Sequence, residues 1–208
     1  MFATTERLIL RGFVESDTER LLEMYNDPQV SRTATLGYVR PYVSEKGKDF
    51  VKSHHNALLH LIIERKVDNA TSADEESDKD TWVGHISIFG GDGKNRDGGY
   101  GIAILRKWWG HGFATEATRW TVGYAFEQLG LHRVSLGLVA SNERALRVYQ
   151  KWQVCHHQMC ISCGSKLFYS SNFVQEGRKR GGIWLDGQWI DMIDMGIIAE
   201  DYFATKQS

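Results

Sequence analysis

The stretch from Tyr100 to Ala117 reads YGIAILRKWWGHGFATEA, and its reading decides the fold. Tyr100 to Leu105 alternates aliphatic and small residues as a strand does. Gly110 and Gly112 then punctuate a short loop, and the apolar spacing from Thr115 to Gln128 predicts a helix that Gly130 stops. A strand that passes through a glycine loop straight into a helix leaves the first N–H groups of that helix unpaired. The macrodipole adds about half a positive charge at the same place. Small residues allow close approach, so the product is a cradle for a phosphate or diphosphate. Gly112-Phe113-Ala114 lacks the Lys-Ser/Thr ending of a P-loop. The spacing of small residues is also wrong for a dinucleotide fingerprint, and the preceding strands read as a hairpin rather than a parallel unit.

Working outward, Glu6 to Arg11 (ERLILR) reads as an opening strand, and Ser16 as the cap of a helix that Asn26-Asp27-Pro28 ends. A second helix is expected from near Ser44 past Val51. Leu59 to Arg65, Trp82 to Phe89 and Tyr100 to Leu105 read as strands, with a glycine-rich turn at Gly90 to Gly99. Arg133 to Val139 reads as a strand and Asn142 to Lys151 as a helix. Closing strands run through Phe173 to Arg178 and Trp189 to Ile198, with a turn at Asp186-Gly187. This order predicts an α/β (α+β) fold, one domain over 1–208, with a mixed, mostly antiparallel central sheet flanked by helices. An acidic segment near 67–81 reads as a solvated loop.

The 208 residues carry 42% apolar and 25% charged side chains, which excludes global disorder. A net charge of −1 gives no electrostatic footprint for nucleic acid or an anionic membrane. No apolar run approaches a membrane span, and the charged Glu6, Arg7 and Arg11 argue against a signal peptide. Three cysteines confined to Cys155–Cys163 provide no disulfide framework, so a cytoplasmic location is expected.

Trp109 to Ala117 (WGHGFATEA) resembles the acetyl-CoA diphosphate loop of the GNAT superfamily of N-acetyltransferases, and within it the RimJ/RimL-like branch that acetylates ribosomal protein N-termini. Thr5 to Arg11 is similar to that branch's opening strand, and Asn26 to Val30 to the end of its first helix. Asn142-Glu143-Arg144-Ala145 with Tyr149 and Lys151 resembles its asparagine-to-tyrosine helix. Phe173 to Gly177 and Asp186 to Asp191 resemble its closing strands. The match runs in order along most of the chain.

The resemblance implies an enzyme that moves acetyl from acetyl-CoA to a primary amine, either a protein N-terminus, a polyamine or another small amine. The amine attacks the thioester directly with both substrates bound. Ile102, Ala103 and Ile104 would present backbone groups to the cofactor arm, and a backbone N–H near Ile104 would stabilise the oxyanion. Trp109, Gly110, His111, Gly112, Phe113, Ala114 and Thr115 would hold the diphosphate, with Trp109 standing where many relatives have Gln or Arg. Tyr149 would protonate the leaving thiolate, and Asn142, two turns earlier, would bind the cofactor arm or position the loop. For the base the sequence offers Asp97 or His85, because Gly98 stands where many relatives carry Glu; Glu116 fits an electrostatic role at the helix start. A CoA-binding sensor or scaffold without turnover is the alternative function. A monomer or homodimer is the expected assembly.

Between Lys151 and Phe173 the family has a residue or two, whereas here Trp152 to Ser171 intervene. Cys155, His156 or His157, Cys160 and Cys163 offer zinc ligands, but the spacing of a second half-site is missing, so no metal is expected and zinc is a minor reading. Excising the segment restores the family spacing, which makes a translated intron the other account of it. Sequencing the transcript across these codons separates the two.

Overall fold

The computed structural model describes residues 1–43, 45, 56–67, 80–90, 93–150, 153–159, 166–170 and 173–206, with only the backbone course given for 153–159 and 166–170. The expected helix after Ser44 and most of the acidic segment near 67–81 lie outside these residues.

The elements, in chain order, are β1 (Ala3–Thr4), β2 (Leu8–Arg11), α1 (Asp17–Asn26), α2 (Pro28–Ala34), β3 (Ala57–Arg65), β4 (Trp82–Gly90), β5 (Asp97–Ile104), α3 (Phe113–Glu127), β6 (Arg133–Val139), α4 (Glu143–Gln150), β7 (Gln153–Met159), β8 (Lys166–Ser170), β9 (Val174–Leu185), β10 (Gln188–Ile198) and α5 (Ala199–Ala204). Eight strands form one sheet in the order β1-β2-β3-β4-β5-β6-β10-β9, and β7 and β8 pair separately. The β5–β6 pairing is parallel, while β1–β2, β2–β3, β3–β4, β6–β10 and β9–β10 are antiparallel. The expected α/β class with a mixed, mostly antiparallel sheet is what the chain adopts.

Packing groups the chain into two units, 1–90 with 100–121 and 91–99 with 122–208. In the first, α1 and α2 cover the sheet. Leu21 and Met24, three residues apart on α1, and Val30 of α2 pack with Ile62, Trp82 and Ala103 in a core that excludes water. Burying these six side chains contributes on the order of 10 kcal/mol before chain entropy is counted. Ser16, expected to cap α1, sits at helical angles (φ −63, ψ −17) and makes no side-chain capping bond. The next residue organises this corner instead. Buried Asp17 accepts from Arg11 Nη1 and Nη2 at 2.7 and 2.8 Å, from the Val14 amide at 2.9 Å and from Trp82 Nε1 at 3.2 Å. Asp27 ends α1 and also starts α2, its carboxylate accepting from the Gln29 amide at 2.8 Å with Pro28 at the first helical position.

In the second unit, β6 pairs with β10 over seven residues, Arg133–Val139 against Met192–Ile198. Val134, Leu136, Leu138, Val139, Ile193, Met195 and Ile197 are buried apolar residues of this pair. Gly130 adopts φ +62 just beyond α3, as a helix stop requires. Asp186 and Gly187 (φ +51 and +79) form the tight turn between β9 and β10. The segment after α4 contains a short antiparallel hairpin, with Gln153 opposite Ser170 and Met159 opposite Lys166.

Candidate active site

The loop between β5 and α3 is built as the sequence predicts, with one addition. Gly110 and Gly112 hold φ +84 and +79, the left-handed region that costs other residues about 1–2 kcal/mol. No acceptor among the described residues faces the N–H groups of Gly110 through Thr115. The neighbouring carbonyls, in contrast, are occupied. Trp109 O lies 3.1 Å from His111 Nδ1, His111 O accepts from Arg7 Nη1 at 2.8 Å, and Gly112 O accepts from the Glu116 amide at 3.1 Å. With these three acceptors engaged and six consecutive donors open, the loop presents positive potential to an incoming anion. The rings of Trp108, His111 and Phe113 lie 5.7–5.9 Å apart and stiffen it.

Trp109 does not reach for phosphate. Its indole Nε1 donates to Ile104 O at 2.9 Å, and its ring packs against the α1–α2 core. Trp108 Nε1 likewise donates to Trp82 O at 2.9 Å, so two indoles pin the loop to strand ends. Of the three residues expected to meet a cofactor arm, strand alternation separates one. Leu105 donates its amide to Val83 O at 2.9 Å, so Ala103 also turns its backbone toward β4, whereas Ile102 and Ile104 turn theirs away. The approach is close at this point. A Cβ on Gly84 would stand 2.1 Å from Ala103 O, so only glycine fits there.

Glu116 in the first turn of α3 accepts from Thr5 Oγ1 at 2.5 Å, the Arg7 amide at 2.8 Å and Arg7 Nε at 2.8 Å. Burial opposes ionisation of this carboxyl, but the Thr5 and Arg7 donors outweigh it and hold its pKa below the usual carboxylate range. An electrostatic role at the helix start is what the sequence reading assigns to Glu116, and this long-range clamp has no local signature.

Counting back along both strands from the Leu105–Val83 bond puts His85 of β4 across from Ala103. His85 Nε2 lies 2.9 Å from the Tyr25 hydroxyl, and His85 Nδ1 lies 3.1 Å from His60 Nε2. Three polar side chains thus form a chain under α1, on the side of the sheet that carries Ile62 and Ala103.

The other predicted residues belong to the second unit. Asn142 caps α4, its Oδ1 accepting from the Ala145 amide at 3.2 Å. Tyr149 is the buried residue of α4; its ring meets Phe173 at 5.6 Å, and burial pushes its phenol above the ordinary value. Asp97 accepts from Ser135 Oγ at 2.9 Å and pairs with Arg133 at 3.4 Å; Arg133 also holds Glu176. Among the described residues no group of three or more His, Cys, Asp or Glu could hold a metal. Cys160 and Cys163 lie outside them, and the side chain of Cys155 is likewise undescribed. No described helix is long and apolar enough to cross a membrane.

A strand that turns the backbone of Ile102 and Ile104 away from β4 and runs into an anion-binding glycine loop is the arrangement of coenzyme A-dependent acyltransferases. The sequence profile of the acetyltransferase (GNAT) domain matches residues 7–153, most of the chain, and the protein belongs to that family. It is an acetyl-CoA-dependent N-acetyltransferase. An uncharacterised N-acetyltransferase, p20, of Bacillus licheniformis is 23% identical over 95% of this chain and 96% of its own. A putative ribosomal N-acetyltransferase of Bacillus subtilis, YdaF, is 26% identical over 59% of this chain, a match spanning 57% of YdaF. Among solved structures, spermidine N-acetyltransferase from Vibrio cholerae, in complex with CoA and spermine, superposes with a TM-score of 0.71 at 20% identity. That match covers 96% of this chain and 99% of the other. An acetyltransferase of the same family from Bacillus anthracis gives 0.68 at 23% identity, covering 96% and 99%.

Proposed function

We propose that the chain acetylates a primary amine, the diphosphate of acetyl-CoA resting on the amides of Gly110 to Thr115. The carrying observation is the run of six donors without acceptors among the described residues, beside the engaged carbonyls of Trp109, His111 and Gly112. Ile102 and Ile104 direct backbone groups toward the cofactor arm, and the Ile104 amide polarises the thioester carbonyl. The amine nitrogen attacks that carbonyl, a C–N bond forms and the C–S bond breaks. Much of the acceleration comes from holding the two reactants together.

Tyr149 supplies the proton to the departing sulfur. A phenol that burial keeps protonated holds that proton in reserve across the physiological range. Asn142 uses Oδ1 for the helix cap and keeps its amide nitrogen for the cofactor arm. For the proton lost by the ammonium acceptor, His85 serves better than Asp97. Asp97 is committed to Ser135 and Arg133. His85 stands across from Ala103, and Tyr25 and His60 continue its hydrogen-bond chain.

Acetyl-CoA should raise the melting temperature, and free thiol should appear when an amine from a panel of spermidine, an N-terminal peptide and simple alkylamines is added. Stabilisation without thiol release from any amine would favour the sensor. Absence of both would end the acetyl-transfer reading.

A further inference from the structure

Thr5 and Arg7 lie more than 100 residues before the diphosphate loop in sequence, yet their polar groups converge on it. The Arg7 guanidinium forks. Nε is committed to Glu116 and Nη1 to His111 O, each at 2.8 Å, and the group lies 5.1 Å from the centre of the Phe113 ring. Across a trans peptide the carbonyl and the following N–H point in opposite directions. Arg7 therefore does more than tether a loop: by holding His111 O it aims the Gly112 N–H away from itself. Gly112 also faces Arg7 on the reverse side, because a Cβ there would lie 3.2 Å from Nη2. The guanidinium thus stands behind the loop, opposite the direction in which the Gly112 donor points.

We infer that Arg7 is a positioning residue for the diphosphate of the donor, acting through the His111–Gly112 peptide plane without touching the phosphates. This rests on the reading of Gly110–Thr115 as the diphosphate cradle. Glu116 completes the device, since it fixes Nε and neutralises the guanidinium while the Arg7 amide and the Thr5 hydroxyl hold Glu116 in turn. A lysine cannot replace the fork, because one ammonium cannot span both acceptors in that planar geometry.

The test compares two donors with the same thioester. Acetyl-CoA carries the diphosphate, and acetyl-pantetheine ends before it. In Arg7→Ala the ratio of kcat/KM for acetyl-CoA to that for acetyl-pantetheine should fall about tenfold, through KM rather than kcat. Arg7→Lys should lower the same ratio to a smaller extent. An unchanged ratio in both variants, or equal losses with both donors, would overturn the inference, because a merely structural contact has no reason to distinguish them. Failure of both variants to fold, judged by circular dichroism, would make the contact a folding element and overturn it equally. A wild-type protein that ignores acetyl-CoA would instead remove the cradle reading itself, and that result is visible before any variant is made.

Discussion

Replacing the two loop glycines by alanine, one at a time, tests the cradle most directly. Both occupy left-handed backbone, at φ +84 for Gly110 and +79 for Gly112, so each alanine adds about 1–2 kcal/mol of strain in the binding conformation. No atom lies within 4 Å of a Cβ built on Gly110, so that substitution adds strain alone. The loop escapes by rotating φ, which turns its donors out of alignment. Binding must then restore them, and the Kd for acetyl-CoA should rise roughly 5- to 30-fold, at about 1.4 kcal/mol per tenfold. On Gly112 the new methyl also meets Arg7 Nη2 at 3.2 Å, so the guanidinium that holds His111 O must shift to make room. Gly112→Ala should therefore weaken binding further, on the order of 100-fold if one charge-assisted hydrogen bond is lost besides the strain. The substituent threatens the brace behind the loop and not the phosphate surface. Titration calorimetry with acetyl-CoA, alongside thermal melts of each variant, reads both effects. A Gly110→Ala protein with wild-type Kd and wild-type melting temperature would refute the strained-loop argument. A Gly112→Ala protein that binds no worse than Gly110→Ala would refute the part assigned to Arg7.

Further outcomes are expected at the site and in the core. Tyr149→Phe should lower kcat about 100-fold or more while leaving the acetyl-CoA Kd within twofold, as removal of a proton donor does; an unchanged kcat would make Tyr149 a core aromatic packed on Phe173. His85→Ala should depress kcat/KM for the amine more than the KM for acetyl-CoA, and Asp97→Asn should spare both; the reverse pattern in steady-state kinetics would restore Asp97 as the base. Asp17→Ala should cost about 3 kcal/mol by leaving the Arg11 charge without its main partner, which corresponds to a melting temperature lower by roughly 6–12 °C. The pH dependence follows from the same residue. Burial resists the Asp17 charge, yet Arg11, the Val14 amide and Trp82 hold its pKa below the ordinary range. Its contribution is present above the unfolded value near about 3.9 and is lost as pH falls through the lower folded value. Asp17→Asn should therefore flatten the acid limb of a melting-temperature profile, and an unaltered limb would contradict this assignment.

Residues close together in the chain were legible because their physics is local. The alternation of Arg133 to Val139 fixed a strand with the observed ends, and Gly130 and Asp186-Gly187 marked turns whose backbone does require φ above zero. The glycine loop with its helix start was likewise readable, since orphan amides follow from helix geometry alone. Ser16 misled because capping depends on what reaches the helix end. Asp17, with Arg11 and Trp82 at hand, took over the corner. The short helix Ala199–Ala204 passed unnoticed because its six residues give periodicity too little length.

The sequence by itself determined the kind of site proposed, because the open amide donors of Gly110–Thr115 belong to consecutive residues. Only the tertiary structure decided which side chains hold those donors in place. Arg7 and Glu116 are separated by 109 residues, Trp109 spends its indole on Ile104, and His85 meets Tyr25 and His60 across the pleat. Such pairings depend on strand register and helix placement, and those are set by the burial of Leu21, Met24, Ile62 and Ala103 together and by no short run of residues.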